Sequence, residues 1–197
     1  NTNIFMVFRT KNAFADCFNL RKLHSCNGEN EKMERRNIQF SPPDISEAEI
    51  EEVCEALRSG WITTGPRTKE LEKRLAAFCN TDKLVCLNSA TAAEELNLRV
   101  LGIGAGDEVI VPAYTYTATA AAVIHVGAKL VFIDSQKDST EMDYDAMEAA
   151  INEKTKAVIA VDLGGIIADY DRIYEAVERK KNLFTPNTDI QKALGRV

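Results

Sequence analysis

From residue 84 onward the chain repeats one pattern: a short, almost unbroken apolar run, then a segment with helical spacing. The apolar runs fall at 84–87, 108–111, 129–133 and 156–161, and the helical patterns at about 91–101, 117–126, 143–151 and 169–180. Val109-Ile-Val111, Leu130-Val-Phe-Ile133 and Val158-Ile-Ala-Val161 leave no polar position to face water. Such strands are expected where both faces of a sheet are covered. Alternating strands and helices of this kind predict an α/β fold, with a mainly parallel sheet in three layers. The 197 residues, 45% hydrophobic and 27% charged, suit one sizeable soluble domain or part of a larger one.

Ahead of this pattern the chain reads as two helices. Ser46 followed by Glu49 has the form of a capping box. Ile50, Val53, Cys54 and Leu57 then make one apolar stripe at helical spacing, ended by Ser59-Gly60. A loop, Trp61-Ile-Thr-Thr-Gly65-Pro66, holds the only tryptophan, and Leu71, Leu75 and Phe78 mark the second amphipathic helix. Residues 1–36 lack any sustained period and are basic where the remainder is acidic, so they read as an upstream extension or disordered tail. Met33 reads as an alternative start, and His24 is given no role. At the other end, Leu194-Gly-Arg-Val197 looks like the approach to another strand, and residues 37–197 therefore read as a fragment of a larger domain.

Charge and composition exclude several functions. A net charge of −6 speaks against a nucleic-acid surface, which needs clustered Lys and Arg. No apolar run is long enough to span a bilayer. The five cysteines include no C-x-x-C pair, and Cys54, Cys79 and Cys86 lie on apolar faces. They read as core thiols in a reducing compartment, which together with the lack of a visible signal peptide predicts the cytoplasm.

Two strand–helix junctions are candidates for chemistry, because ligands of open α/β sheets bind outside the carboxyl ends of the strands. At Asn88-Ser-Ala-Thr91 every residue is small or hydroxylated. The free amides of a helix start attract an anion, and small residues let a phosphate approach them. Taken alone, the stretch is more simply explained by Ser89 or Thr91 capping its own helix. At Pro112-Ala-Tyr-Thr-Tyr-Thr-Ala-Thr119, two tyrosines and three threonines follow a buried strand. A ring there could stack on a planar ligand, or the aromatics could fill a loop-side core. Asp162 lies just past a strand end and reads either as a ligand contact or as an ordinary strand-end polar residue. His125 reads as structural. Gly102-Ile-Gly104-Ala-Gly106 has the wrong spacing for a dinucleotide fingerprint and lies before a strand rather than after one; it reads as a helix C-cap and turn.

In order, the chain carries Ser59-Gly-Trp-Ile-Thr-Thr-Gly65-Pro66, Asn88-Ser-Ala-Thr-Ala92, Leu101-Gly-Ile-Gly-Ala-Gly-Asp-Glu-Val-Ile-Val-Pro-Ala-Tyr-Thr-Tyr116, Gly127-Ala-Lys-Leu-Val-Phe-Ile-Asp134 and Thr155-Lys-Ala-Val-Ile-Ala-Val-Asp-Leu-Gly-Gly165. This order resembles the DegT/DnrJ/EryC1/StrS family of pyridoxal-phosphate-dependent sugar aminotransferases over about residues 37–197. The resemblance implies the large domain of a fold-type-I aminotransferase, truncated here. It implies amino transfer from glutamate to a keto group of a nucleotide-linked deoxysugar, as in cell-surface polysaccharide or aminosugar biosynthesis, and a homodimer. By position it places Ala90 and Thr91 at the cofactor phosphate, Tyr116 over the pyridine ring, and the Trp61–Gly65 loop near a dimer interface and the active site; Ser89 and Asp162, from their places at the junctions, join them as cofactor-binding candidates. Glu94 departs from the pattern, which has an apolar residue there, and is expected to point away from the phosphate. The family's pyridine-pairing Asp and its Schiff-base Lys in a Ser-x-His-x-x-Lys context have no counterpart in these residues, so the piece by itself is expected to be inactive. The alternatives are a non-catalytic truncated domain, or a dehydratase relative in which His replaces that Lys.

Overall fold

The computed structural model describes residues 42–195; the expectations for residues 1–36, with Met33 and His24, lie outside them. The chain divides into two compact units at Cys86/Leu87, and each is described by itself.

The first unit holds helix α1 (Glu47–Arg58) and helix α2 (Pro66–Phe78). The capping box forms as its residues dictate: the Glu49 carboxylate accepts from the Ser46 amide at 2.6 Å, and the Ser46 hydroxyl oxygen accepts from Ala48 N at 3.3 Å. The Ser46 hydroxyl also donates to Glu49 Oε2 at 2.5 Å, and this bond, with that from the Ser46 amide, holds the Glu49 carboxyl below the usual range. Pro66 sits at the first helical position of α2, where its missing N–H costs nothing. Arg67 reaches from α2 to both Glu52 and Glu55 on α1. The expected apolar stripe is present but stays exposed at Val53, Leu57, Leu71 and Phe78. Amphipathic spacing fixes which residues share a face, whereas covering that face takes a partner that these two helices do not supply.

The second unit is the α/β body. Its elements are α3 (Ala90–Val100), β1 (Glu108–Pro112), α4 (Thr117–His125), β2 (Lys129–Ile133), α5 (Tyr144–Ala150), β3 (Thr155–Val158), α6 (Tyr170–Arg179) and α7 (Asp189–Leu194). The strands form a parallel sheet in the order β2-β1-β3. Central β1 is buried along its whole length, as its unbroken apolar run requires. Val109 and Val111 pack with Leu98 of α3 and with Ala122 and Val123 of α4. Ile110, on the opposite face, packs with Met147 of α5 and with Ile173 and Ala176 of α6. Helices on both faces of a parallel sheet make the three layers expected from the sequence.

Polar groups fix the amino-terminal edge of this core. The Glu108 carboxylate accepts from Lys129 Nζ at 2.7 Å and from Asn152 Nδ2 at 2.9 Å, and these donors hold its carboxyl below the usual range. Asp107 is buried and accepts from the Gly104 amide, from Gln191 Nε2 at 2.9 Å and from Asn187. That ties α7 to the α3–β1 turn. Gly102 and Gly106 in the turn have φ of 71° and 93°, so the glycine cluster is a C-cap and turn.

The structure corrects one strand: residues 84–87 form none. A strand exists through its ladder partner, and the described residues place none beside this run. The Cys86 amide instead donates to Glu72 of α2 at 2.9 Å. The predicted strand at 156–161 runs from Thr155 to Val158, with one further bond from Ile159 N to Ile110 O at 2.9 Å.

Candidate cofactor site

The strand order itself locates a crevice. From β1 the chain crosses to β2 through α4, then passes back over β1 to reach β3 through α5, on the other face. The connections therefore part between the carboxyl ends of β1 and β3, the switch point where α/β sheets bind ligands. The loop carrying Tyr114–Tyr116 follows β1, and the loop opening at Asp162 follows β3.

The start of α3 lies at the same edge. Helices α3 and α4 pack on each other, and Glu94, in the second turn of α3, faces Thr119 in the first turn of α4. At the carboxyl end of α4, His125 Nδ1 meets Glu95 Oε2 at 3.2 Å, and Arg99, in the last turn of α3, donates to the His125 carbonyl at 3.1 Å. The two helices thus run parallel, and their amino ends lie side by side. His125 has the structural role expected of it.

Ser89 is the N-cap of α3, with its hydroxyl oxygen accepting from Ala92 N at 3.1 Å. This settles which residue caps the helix. The Ala93 amide bonds the Ser89 carbonyl, so the orphan donors of this helix start are the amides of Ala90 and Thr91. Ser89 and Ala90 are exposed and Thr91 is half-buried. The capping bond uses the Ser89 oxygen as acceptor and leaves its O–H free to donate. Two amides, a hydroxyl proton and the positive end of a helix dipole thus meet at an open, side-chain-poor surface, a seat that fits a phosphate.

Tyr116 is the N-cap of α4, makes no capping side-chain bond, and is 80% exposed. Its ring is not core filling, and neither is that of exposed Tyr114. Of the threonines, Thr119 is buried and its hydroxyl lies 3.4 Å from that of Thr115. Asp162 is half-buried, and its Oδ1 accepts from Ala168 N at 3.0 Å and from the Tyr170 hydroxyl at 3.1 Å. Burial and the Asp162 carboxylate push Tyr170 up to about 12. Asp162 thus ties its own loop together.

Glu94 is half-buried and turns toward α4 rather than toward the amides of its own helix start. Burial pushes its carboxyl above the usual range, against the opposing effect of the Thr119 hydroxyl. Sequence marks Glu94 only as an acid among apolar residues; that it faces Thr119 comes from the packing of two helices. Among the described residues no cluster of His, Cys, Asp or Glu could hold a metal, and no helix is long and apolar enough to cross a membrane.

The family model for DegT/DnrJ/EryC1/StrS aminotransferases matches residues 43–195. The chain belongs to this family. It is 42% identical over 154 residues to the spore coat polysaccharide biosynthesis protein SpsC of Bacillus subtilis, covering 77% of this chain and 39% of that one. It is 45% identical over 149 residues to a UDP-4-amino-4-deoxy-L-arabinose–oxoglutarate aminotransferase of Shewanella sediminis, covering 76% and 38%. Among solved structures it matches Spr1654 of Streptococcus pneumoniae, a protein assigned as a sugar aminotransferase and solved in pyridoxal phosphate, pyridoxamine phosphate and apo forms. The TM-score is 0.78 at 61% identity, over 82% of this chain and 41% of that one. The chain spans about two-fifths of the length of these relatives. Family and neighbours are enzymes dependent on pyridoxal phosphate, and the three-layer fold is that of their fold type.

Proposed function

We propose that the protein carrying this chain transfers an amino group from glutamate to a keto group of a nucleotide-linked deoxysugar, and that residues 37–197 are the amino-terminal part of its large domain. Pyridoxal phosphate supplies the electron-accepting ring on which the amino group is carried. The observation that supports the reading is the pairing of two open helix ends at one sheet edge. The amides of Ala90 and Thr91, with the Ser89 hydroxyl, would hold the phosphate, and Tyr116 would cover the ring and exclude water from it. Asp162 keeps the β3 loop in place beside the ring.

No lysine among residues 1–197 stands in a Ser-x-His-x-x-Lys context. We therefore place that lysine, and the carboxylate that pairs with the ring nitrogen, on the remainder of the protein. A homodimer in the cytoplasm completes the proposal. The test incubates the whole protein with pyridoxal phosphate, glutamate and a nucleotide-linked keto sugar, and follows 2-oxoglutarate and the sugar mass. Stoichiometric 2-oxoglutarate and aminated sugar are expected. No product with a panel of such sugars, or product without added or bound cofactor, overturns the reading.

A further inference from the structure

The Asp162 carboxylate stands half-buried at the switch-point edge of the sheet, and only one of its oxygens is used. Oδ1 takes two neutral donors, the Ala168 amide at 3.0 Å and the Tyr170 hydroxyl at 3.1 Å. Among the described residues Oδ2 has no partner, and no Lys, Arg or His pairs with the group. The arginines of α6 are spent on α5 instead, Arg172 on Asp145 and Arg179 on Glu148. The two donors are themselves held in place. The Asp169 amide, which lies between them in the chain, donates to the Tyr144 hydroxyl at 2.7 Å, and that buried residue donates in turn to Glu141 at 3.0 Å. Between Asp162 and Ala168 the loop passes through Gly164 and Gly165, with φ of 62° and 84°, and a side chain starting at either would meet no heavy atom within 4 Å. A carboxylate can accept about four hydrogen bonds, and a partly buried one without a counter-charge is costly. Asp162 is thus pinned on one oxygen, open on the other, and short of a cation.

We infer that Asp162 is the counter-charge for the amino group carried by the cofactor, its open oxygen accepting from the cationic aminomethyl group of pyridoxamine phosphate, and that Tyr170 is the positioning residue that holds the carboxylate for this contact. The inference rests on the cofactor reading above. It adds to the loop-tying bonds of Oδ1 a separate task for Oδ2. The ring nitrogen is the other atom of such a ligand that can carry positive charge, and its carboxylate is placed above on the remainder of the protein. The amino group is then the cation left for Asp162.

The test measures dissociation constants of two probes by equilibrium dialysis on the whole protein: pyridoxamine phosphate, and 4-deoxypyridoxine phosphate, which has a methyl group in place of the aminomethyl. Phosphate and ring nitrogen are common to both. Asp162→Asn keeps an oxygen for the Ala168 amide and the Tyr170 hydroxyl and removes only the charge. It is expected to weaken pyridoxamine phosphate about tenfold, the loss of a hydrogen bond between charged groups, and to leave the methyl probe within a factor of about two. Tyr170→Phe keeps the charge but releases its hold, and is expected to weaken pyridoxamine phosphate about threefold with the same indifference of the methyl probe. The double variant loses no more than Asp162→Asn alone, because Tyr170 acts through that carboxylate. Asp162→Asn that leaves pyridoxamine phosphate binding unchanged, or weakens both probes alike, overturns the counter-charge. Tyr170→Phe that weakens both probes alike, or weakens pyridoxamine phosphate further in the Asp162→Asn background, overturns the positioning role. Unaltered protein that takes up neither probe overturns the cofactor reading instead, and that result is seen before any variant is made.

Discussion

Ser89 performs two tasks that one substitution pair can separate. Its oxygen caps α3 by accepting from Ala92 N at 3.1 Å, and its O–H is proposed to donate to the cofactor phosphate. Ser89→Ala removes both. Loss of an N-cap serine costs about 1 kcal/mol of stability. Loss of a hydrogen bond to a charged group costs about 1.5–3 kcal/mol, roughly ten- to a hundredfold in affinity. Ser89→Gly removes the hydroxyl just as fully, yet glycine at an N-cap costs only a few tenths of a kcal/mol. The two variants are therefore expected to differ in urea midpoint and to agree in their dissociation constants for pyridoxal phosphate. Pyridoxal without its phosphate provides the control, and its weaker binding is expected to change by less than about twofold, since the phosphate interactions are absent from it. If Ser89→Gly binds pyridoxal phosphate as well as the unaltered protein does, the hydroxyl does no more than cap. If both variants weaken pyridoxal and its phosphate alike, the phosphate does not sit at this helix start.

Gly65 admits no side chain: an added Cβ would lie 2.0 Å from the Trp61 indole nitrogen, which itself donates to the Thr64 carbonyl at 3.1 Å. Gly65→Ala is expected to push the only tryptophan off its loop and shift its emission maximum to the red; an unchanged spectrum counts against this packing. Tyr144→Phe removes a hydroxyl that accepts from Asp169 N at 2.7 Å and donates to Glu141 at 3.0 Å. A loss of about 1–3 kcal/mol in a urea titration is expected, and less than about 0.5 kcal/mol would deny the network any stabilising role. For Glu94, burial raises the folded carboxyl pKa above its unfolded value. The native state then holds the proton more firmly, so this group's contribution to stability is full below the ordinary carboxylate range and is lost as pH rises through the raised value. Glu94→Gln is expected to be relatively more stable above that window and to lose its advantage below it. A stability difference that does not vary with pH would show that Glu94 is not perturbed.

What the sequence reveals depends on how local the determining physics is. The Ser46–Glu49 box is legible because its partners lie within one turn. The β1 run is legible because a strand apolar at every position has only a doubly covered place to go, and Val109, Ile110 and Val111 are all fully buried. The run at 84–87 is equally apolar, yet its Cys86 amide goes to Glu72. Strand pairing is a contact between distant residues, and nothing within four residues encodes its partner. Likewise the stripe of Val53 and Leu57 shows which face is apolar but not what covers it. For Glu94, helical spacing sets the face on which it lies. That this face meets Thr119 follows from how α3 packs on α4, which no single segment determines.

The placement of the candidate site follows from topology before any particular side chain is considered. The chain leaves β1 at its carboxyl end and must return to the amino end of the parallel strand β2, so α4 runs antiparallel to β1. Helix α3 hands the chain to the amino end of β1 through the tight turn at 102–107, so it too runs antiparallel to β1. Two helices antiparallel to one strand are parallel to each other, and both positive dipole ends must then lie at the strand's carboxyl edge. The residues decide only how the two ends are used. Ser89 and Ala90 leave the α3 amides open and small enough for a phosphate, whereas Tyr116 fills the start of α4 with a ring. On the proposed reading one end takes charge and the other a flat surface, and a ligand with an anionic arm on an aromatic ring is the chemistry that uses both.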